Sequence, residues 1–264
     1  MTNNPLEFFE KVYCINLDER KDRWQYCTNE FSSLGISNYE RFSASKADSL
    51  SDGSPGPGKD GHTKTYCAII DKAIADNVEN CVILEDDFNF IVRGEELHLK
   101  ISEAVEQLPA NWDLLYFGAN IHTDYTSTPL QKYSKALFKL NSAYATHALA
   151  FSRRGLVALR NCFSNSQDWY LEYLEKSSPA DIFLARDFLA KNNAFITTTF
   201  LCSQLPDYSN IENSYTNYTD MLKNRFEEHS ARLNKKALTF ESYRDIKGYV
   251  INLDCEVEST IQSY

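Results

Sequence analysis

No run of apolar residues in this sequence approaches the length of a bilayer, so no segment reads as a transmembrane helix. Met1 to Glu10 lacks the basic start and long apolar stretch of a signal peptide, which points to a cytoplasmic protein. Lys and Arg form no block, and the formal charge is −10, so a surface that wraps nucleic acid is excluded. No two of the seven cysteines (Cys14, Cys27, Cys67, Cys81, Cys162, Cys202, Cys255) make a CxxC pair. An odd number, widely spaced and mostly inside apolar segments, reads as buried free thiols in a reducing compartment, not as a disulfide framework or a zinc site. Glycine is also scarce near the N-terminus: Asp18 to Arg23 carries charge but none of the glycines of a nucleotidyltransferase phosphate loop.

What the chain does have is 264 residues, enough for one α/β domain with appendages, and 16 Phe with 16 Tyr, more rings than a core usually needs. Val12 to Leu17 is a short β-prone run, followed by a helical segment to Leu34 and a stop at Gly35. Tyr39 to Ala44 reads as a second strand, and Ser49 to Gly61 as a loop rich in Ser, Asp, Gly and Pro. A helix over Thr65 to Asn77 then leads into the apolar run Cys81 to Leu84. Strands alternating with helices predict β-α-β units and a largely parallel sheet. Leu97 to Leu108 is an amphipathic helix, Asp113 to Gly118 a buried strand, Ala143 to Ser152 a strand and Arg153 to Phe163 a helix. A helix starting near Pro179 and running to Ala190, a strand over Ala194 to Cys202 and a polar helical tail from Asn213 complete the pattern.

Residues 1–212 are thus expected to form the main domain, with 213–264 a helical extension. Val12-Tyr13-Cys14-Ile15-Asn16-Leu17-Asp18 is echoed by Gly248-Tyr249-Val250-Ile251-Asn252-Leu253-Asp254, which reads either as coincidence or as the start of a second, similar domain near Lys247. The sequon Asn217-Tyr218-Thr219 has no consequence in a cytoplasmic protein.

The chemistry concentrates in Glu85-Asp86-Asp87, at the carboxyl end of the run Cys81 to Leu84, where α/β sheets bind ligands. Strand alternation would put Glu85 and Asp87 on one face and Asp86 on the other. Converging carboxylates repel, and a hard cation such as Mg²⁺ or Mn²⁺ resolves the repulsion. The same acids could be a solvated turn. A phosphorylation receiver would need another Asp where the next strand ends in Phe117-Gly118, and it is missing. His147 in its apolar stretch reads as a hydrogen-bonded core residue, His62 as a freer candidate for a metal or phosphate, and Trp112 as core. Trp169 could stack on a sugar.

Several segments in order resemble glycosyltransferase family 25, the lipopolysaccharide-type and collagen-type galactosyltransferases. VYCINLDERKDRW is similar to the family's first strand and its Asn-Leu, Asp-Arg signature, here Asn16, Leu17, Asp22 and Arg23. CVILEDDFNF resembles its acidic motif, WDLLYFG the following strand, ATHALAFSRRGLVAL a strand with a Ser and a helix-opening Gly, PADIFLA a Pro-x-Asp segment and QLPDYSNI a late Gln and Ser-x-Ile segment. The resemblance covers about residues 12–212. One departure is Thr65-Tyr66, where the family has Ser-His.

The resemblance implies a GT-A-like nucleotide-binding fold, a mostly parallel mixed sheet flanked by helices, and transfer of a hexose, as in the family's galactosyltransferases. The donor would be a UDP-sugar, the usual metal Mn²⁺ (or Mg²⁺), the acceptor a glycan or a glycosylated protein, and the outcome inversion. Asp87 is then the first metal ligand, Glu85 the second or a contact to ribose, and Asp86 an orienter of the donor sugar. Asn16, Leu17, Ser43 and Ala44 would cradle uracil and ribose, Arg23 would face a phosphate or a structural ion-pair partner, and Gln204 and Ser209 would touch phosphates or acceptor. Asp181 is the expected base, unless it caps a helix N-terminus, and Asp207 is the reserve. The competing readings are sugar nucleotidyl transfer and an inactive glycan- or partner-binding domain on the same fold.

Overall fold

The structure, a computed structural model, describes residues 4–46, 58–164, 180–209 and 214–247. An eight-stranded mixed sheet organises it. Its strands are β1 Lys11–Asn16, β2 Tyr39–Ser43, β3 Asn80–Glu85, β5 Leu114–Tyr116, β7 Leu130–Lys132, β8 Leu137–Leu140, β10 Ala148–Ser152 and β11 Ala194–Thr197. They lie side by side in the order β2-β1-β3-β10-β5-β11-β8-β7. Parallel pairings join β1 to β2 and β3, and β5 to β11, while β10 and β8 run against the other six. The expected α/β fold with a mixed, mostly parallel sheet between helices is the one observed.

Both faces of the sheet are covered because its central strands are apolar through their middles, each alternate residue serving one side. Tyr13, Ile15, Cys81, Ile83, Leu114, Tyr116, Leu149 and Phe151 point into one core with α2 Gly58–Ala75, α4 Arg153–Ser164 and the helix Thr219–Lys247. Val12, Cys14, Val82, Leu84, Leu115, Ala148 and Ala150 point into the other with α1 Lys21–Leu34 and α3 Gly94–Glu106. Helix α1 connects β1 to β2 on one face and α2 connects β2 to β3 on the other. Strand order therefore reverses at β1/β3, the place where parallel sheets open a crevice at their carboxyl ends.

Gly35 ends α1 as the sequence predicts, with φ of 69° and its N–H bonded back to Ser32 O at 3.3 Å. Elsewhere the boundaries move. Helix α2 already begins at Gly58, inside the stretch expected to be a loop; Thr65 Oγ1 bonds Gly61 O at 2.7 Å and His62 packs its ring on Tyr66 one turn on. The expected strand Ala143 to Ser152 is broken into β9 Ala143–Tyr144 and β10, because Ala145 takes φ of 69°. Ala194 to Cys202 divides likewise: β11 ends at Thr197, and Cys202–Gln204 (β12) pairs with Phe88–Phe90 (β4). The helix expected to run to Ala190 is Ala180–Phe183 continued by a π-helical turn, Leu184–Phe188, and a tight turn to Lys191.

Beyond residue 212 the chain stays with the main body: β14 Ser214–Thr216 pairs with β13 Asp207–Ser209, and Leu222 and Phe226 of the following helix enter its core. The echo at 248–254, Cys255, Trp169, Pro179 and most of the Ser49 to Gly61 stretch lie outside the described residues. The six cysteines within them are free, four buried and two partly so. No helix among the described residues is long and apolar enough to cross a membrane.

Candidate functional site

A cavity of about 550 Å³ opens at the β1/β3 crevice. Its floor is built by the ends of three strands: Asn16 and Leu17 after β1, Ala44 and Ser45 after β2, and Glu85, Asp86 and Asp87 after β3. Helix α1 contributes Arg23 with Arg20 just before it, α2 contributes His62, and the chain between β9 and β10 contributes Ala145 and Thr146. Asp181 and Gln204 complete the groups of interest.

Strand geometry stops at Glu85, so the three acids do not divide between two faces; all three line the cavity, each in its own environment. Glu85 Oε1 lies 3.1 Å from His62 Nε2 and accepts Thr146 Oγ1 at 2.6 Å. Burial opposes its charge, but the His62 ring and the Thr146 hydroxyl outweigh that and hold its pKa at about 2. On His62 burial again opposes charge and Glu85 overcomes it, raising that pKa. Asp86 accepts Asn16 Nδ2 and Arg23 Nη1, both at 2.7 Å. Its pKa is nonetheless raised, burial outweighing the guanidinium.

Asp87 is the outlier. It is held less closely, with Arg23 Nη1 3.6 Å from Oδ2, and its buried Oδ1 has no hydrogen-bond partner. Burial first, and the neighbouring Glu85 carboxylate second, push its pKa up to about 7. Glu85 is thus the acid of the triplet most readily ionised, Asp86 is paired with Arg23, and Asp87 keeps an oxygen for something the chain does not supply.

The arginines are braced from both sides. Arg23 Nε and Arg20 Nη2 both meet Asp207 Oδ2, at 2.9 and 2.5 Å, and both guanidiniums donate to Tyr208 O. Asp207 therefore ties β13 to α1. Although burial works the other way, the Arg20 hydrogen bond leads the effects that bring its pKa to about 2, which makes it an ion-pair anchor and a poor proton acceptor. Arg23 is likewise an ion-pair partner, of Asp86 and Asp207 together.

Asn16 has no spare capacity. Its Nδ2 donates to Asp86 and to Arg20 O, while its Oδ1 accepts Arg41 Nε and Nη2, which uses both donors and both lone pairs. Only its backbone is left for a ligand. Ser43 turns away, its Oγ on Asp18 Oδ2 at 2.8 Å, and Ser209 ends β13 opposite Ser214. Asp181 faces the cavity, and its oxygens accept the amides of Ile182 at 2.8 Å and Ala145 at 3.2 Å. Burial raises its pKa. His147 is a core residue as expected, Nε2 on Cys202 O at 3.1 Å, its pKa lowered by burial.

Arg20, Thr146 and Tyr144 carry no signal of their own in the sequence, since their place depends on how distant segments meet. Tyr66, at the departure from the family pattern, donates its hydroxyl to Thr146 O at 2.6 Å and supports the same wall. Among the described residues no group of three His, Cys, Asp or Glu side chains converges as a self-sufficient metal cage. The donor set fits a cation held by one or two carboxylates together with substrate phosphates, the usual situation of Mg²⁺, and Asp87 Oδ1 is the unsatisfied buried oxygen it would find.

No protein-family model matches the sequence, and no curated protein matches it. Among solved structures the chain is similar to a mannose-1-phosphate geranyltransferase from Thermus thermophilus, with 10% identity over 73% of this chain and 60% of that one and a TM-score of 0.38. It is also similar to a glycosyltransferase involved in the glycosylation of the major capsid of PBCV-1, with 9% identity over 83% of this chain and 98% of that one and a TM-score of 0.42. At that level of superposition the likenesses decide neither reaction nor substrate.

Proposed function

We propose that the chain is a glycosyltransferase of the family 25 type, moving a hexose from a UDP-sugar to a glycan or protein-linked acceptor with inversion at the anomeric carbon. The observation that carries the reading is the buried, unpartnered Oδ1 of Asp87 in a crevice at the carboxyl ends of β1 and β3, with two arginines beside it. Asp87 and Glu85 would hold Mn²⁺ or Mg²⁺, which when bound supplies positive charge to a diphosphate leaving group. Arg20 and Arg23 add fixed positive charge on the α1 side, and Asp86 and Asp207 hold them in place. Leu17, Ala44 and the Asn16 backbone offer the floor for base and ribose.

In the transfer, the acceptor hydroxyl oxygen bonds to the anomeric carbon as the bond from that carbon to the diphosphate oxygen breaks. The hydroxyl proton passes to Asp181, whose pKa burial raises, making it a stronger base than an exposed carboxylate. UDP leaves with the bonding pair.

The test is calorimetric titration of UDP and a panel of UDP-sugars with Mn²⁺, on the native chain and on Asp87→Ala, with donor hydrolysis followed in parallel. Binding that needs Asp87 supports the reading. Absence of binding by every UDP-sugar removes it, and binding unaffected by Asp87→Ala removes the metal assignment. Binding without hydrolysis or transfer leaves a sugar-nucleotide-binding module in place of an enzyme.

A further inference from the structure

One wall of the cavity, at Asn120 and Tyr144, carries none of the residues assigned above to metal or donor. Strand β9 ends at Tyr144, and Ala145 after it lies in the left-handed region at φ of 69°, a conformation that costs a residue with a Cβ. The strained turn is held from both ends: the Ala145 N–H bonds Asp181, and Thr146 bonds Glu85. Tyr144, just before this turn, lines the same cavity as Glu85, Asp86 and Asp87.

The Tyr144 ring is fixed before any ligand arrives. His122 stacks behind it, with centroids 3.6 Å apart and planes within 5°. Tyr125 stands nearly perpendicular, at 83° and 6.4 Å, and the Tyr144 hydroxyl donates to Asp124 Oδ2 at 2.8 Å. His122 is itself immobilised: Nδ1 accepts the Asp124 N–H at 3.1 Å, which leaves the proton on Nε2, 3.2 Å from the buried Ser142 hydroxyl.

We propose that the Tyr144 wall, backed by His122 and cornered by Tyr125, is the subsite for a pyranose ring of the acceptor saccharide, an assignment that rests on the transferase reading above. A pyranose has an apolar C–H face that settles on the negative face of an aromatic ring, and edge hydroxyls that need polar partners. Tyr144 offers the first, and Asn120, Thr146 and Asp181 on the same wall offer the second. A ring already immobilised loses little freedom when it binds. A nucleobase would stack as well, but the arginine pair suited to its diphosphate lies on the β1 and α1 side. The charged partner of Tyr144 is Asp124, Asp181 holds the adjoining Ala145 amide, and Arg225 nearby is engaged by Asn120 Oδ1 at 2.8 Å.

The experiment is ligand-detected saturation-transfer NMR on the full chain without donor, using methyl pyranosides of galactose, glucose, mannose and N-acetylglucosamine. UDP is titrated separately by calorimetry. At least one pyranoside is expected to bind the native chain, to bind Tyr144→Phe within about threefold and to bind Tyr144→Ala about tenfold more weakly, with UDP affinity unchanged throughout. Tyr125 is 43% exposed, so its truncation keeps the question answerable whatever Tyr144→Ala does to folding. Tyr125→Ala is expected to weaken pyranoside binding about threefold or more. Absence of pyranoside binding to the native chain, unchanged binding in Tyr125→Ala, or loss of UDP in place of pyranoside in Tyr144→Ala overturns the assignment. Tyr144-dependent pyranoside binding in a chain that binds no UDP keeps the subsite and refutes the transferase reading; UDP binding without pyranoside binding does the reverse.

Discussion

His62 Nε2 lies 3.1 Å from Glu85 Oε1, joining α2 to the end of β3 across the cavity floor. Each partner makes the other's charge tolerable in a buried place, and Thr146 Oγ1 on the same oxygen locks the pair to the β9–β10 connection.

Removing the imidazole should therefore be costly. His62→Ala leaves a buried carboxylate with only the Thr146 hydroxyl and is expected to destabilise the fold by about 3 kcal/mol, read by urea unfolding in metal-free buffer. The pH dependence has two limbs. The raised His62 pKa contributes stability that is present below its unfolded value and lost as pH rises through the folded one. The depressed Glu85 pKa contributes stability that is present above its unfolded value and lost as pH falls toward about 2. The pair thus contributes most between about pH 4.5 and about pH 6.5. A His62→Ala chain as stable as the native one across that window would dismiss the pairing.

Asp87 predicts the opposite sign. Its folded pKa of about 7 lies above that of an unfolded Asp, so the folded state binds the extra proton and the ionised group works against folding at higher pH. Asp87→Asn is expected to raise stability at pH 8 by on the order of 1–3 kcal/mol, and to leave it unchanged near pH 4. Thermal melts of both chains at the two pH values, without divalent cation, measure this. A destabilised Asp87→Asn chain at pH 8 contradicts the picture of an unsatisfied carboxylate.

Asp207 is a weaker lever because water reaches it. Its pKa of about 2 is depressed, so the contribution it makes to folding is present above about pH 4 and fades as pH falls toward 2. Asp207→Asn should cost under about 1 kcal/mol at pH 7 and about a third of that at pH 2.5. Cleavage of the β13–β14 hairpin by a dilute protease should speed up in the variant, since its anchor to Arg20 and Arg23 is loosened. An unchanged cleavage rate rejects the anchor.

Gly118 tests how the fold brings Gln204 to the site. A Cβ there would sit 1.7 Å from Cys202 O, a contact with backbone that no rotamer relieves. Gly118→Ala is expected to destabilise by more than about 3 kcal/mol in urea titrations, because β12 must retreat from Phe117 and carry Gln204 with it. A near-neutral Gly118→Ala would show that the approach of β12 is not needed.

Much of the crevice was legible because its signals are local. An unbroken apolar run followed by acids marks a strand buried on both faces and ending at a sheet edge, and β3 with Glu85 to Asp87 is such a strand. Gly35 announces the end of α1 by itself. The division of labour among the acids was not legible, since it depends on His62, Arg23 and Asn16 arriving from elsewhere. Alanine gives no warning of a left-handed turn, so the break at Ala145, and with it the position of Tyr144, was hidden. Residues 119–142 were unassigned for a similar reason: β6 Asn120–Ile121, β7 and β8 are too short for any periodicity to appear.

The sheet order also bears on how the chain behaves in company. An outermost strand is a template on which another molecule can add its own strand, the first step of aggregation. At one margin β2 bears Glu40, in ion pairs with Lys11 and Lys72, and Arg41, clamped between Asn16 and Asp18. At the other, β7 has three residues, two of them the exposed Gln131 and Lys132. A newcomer at β2 must displace ion pairs, and at β7 it finds little backbone to copy, so concentrated solutions of the folded chain resist growth at either margin of this sheet.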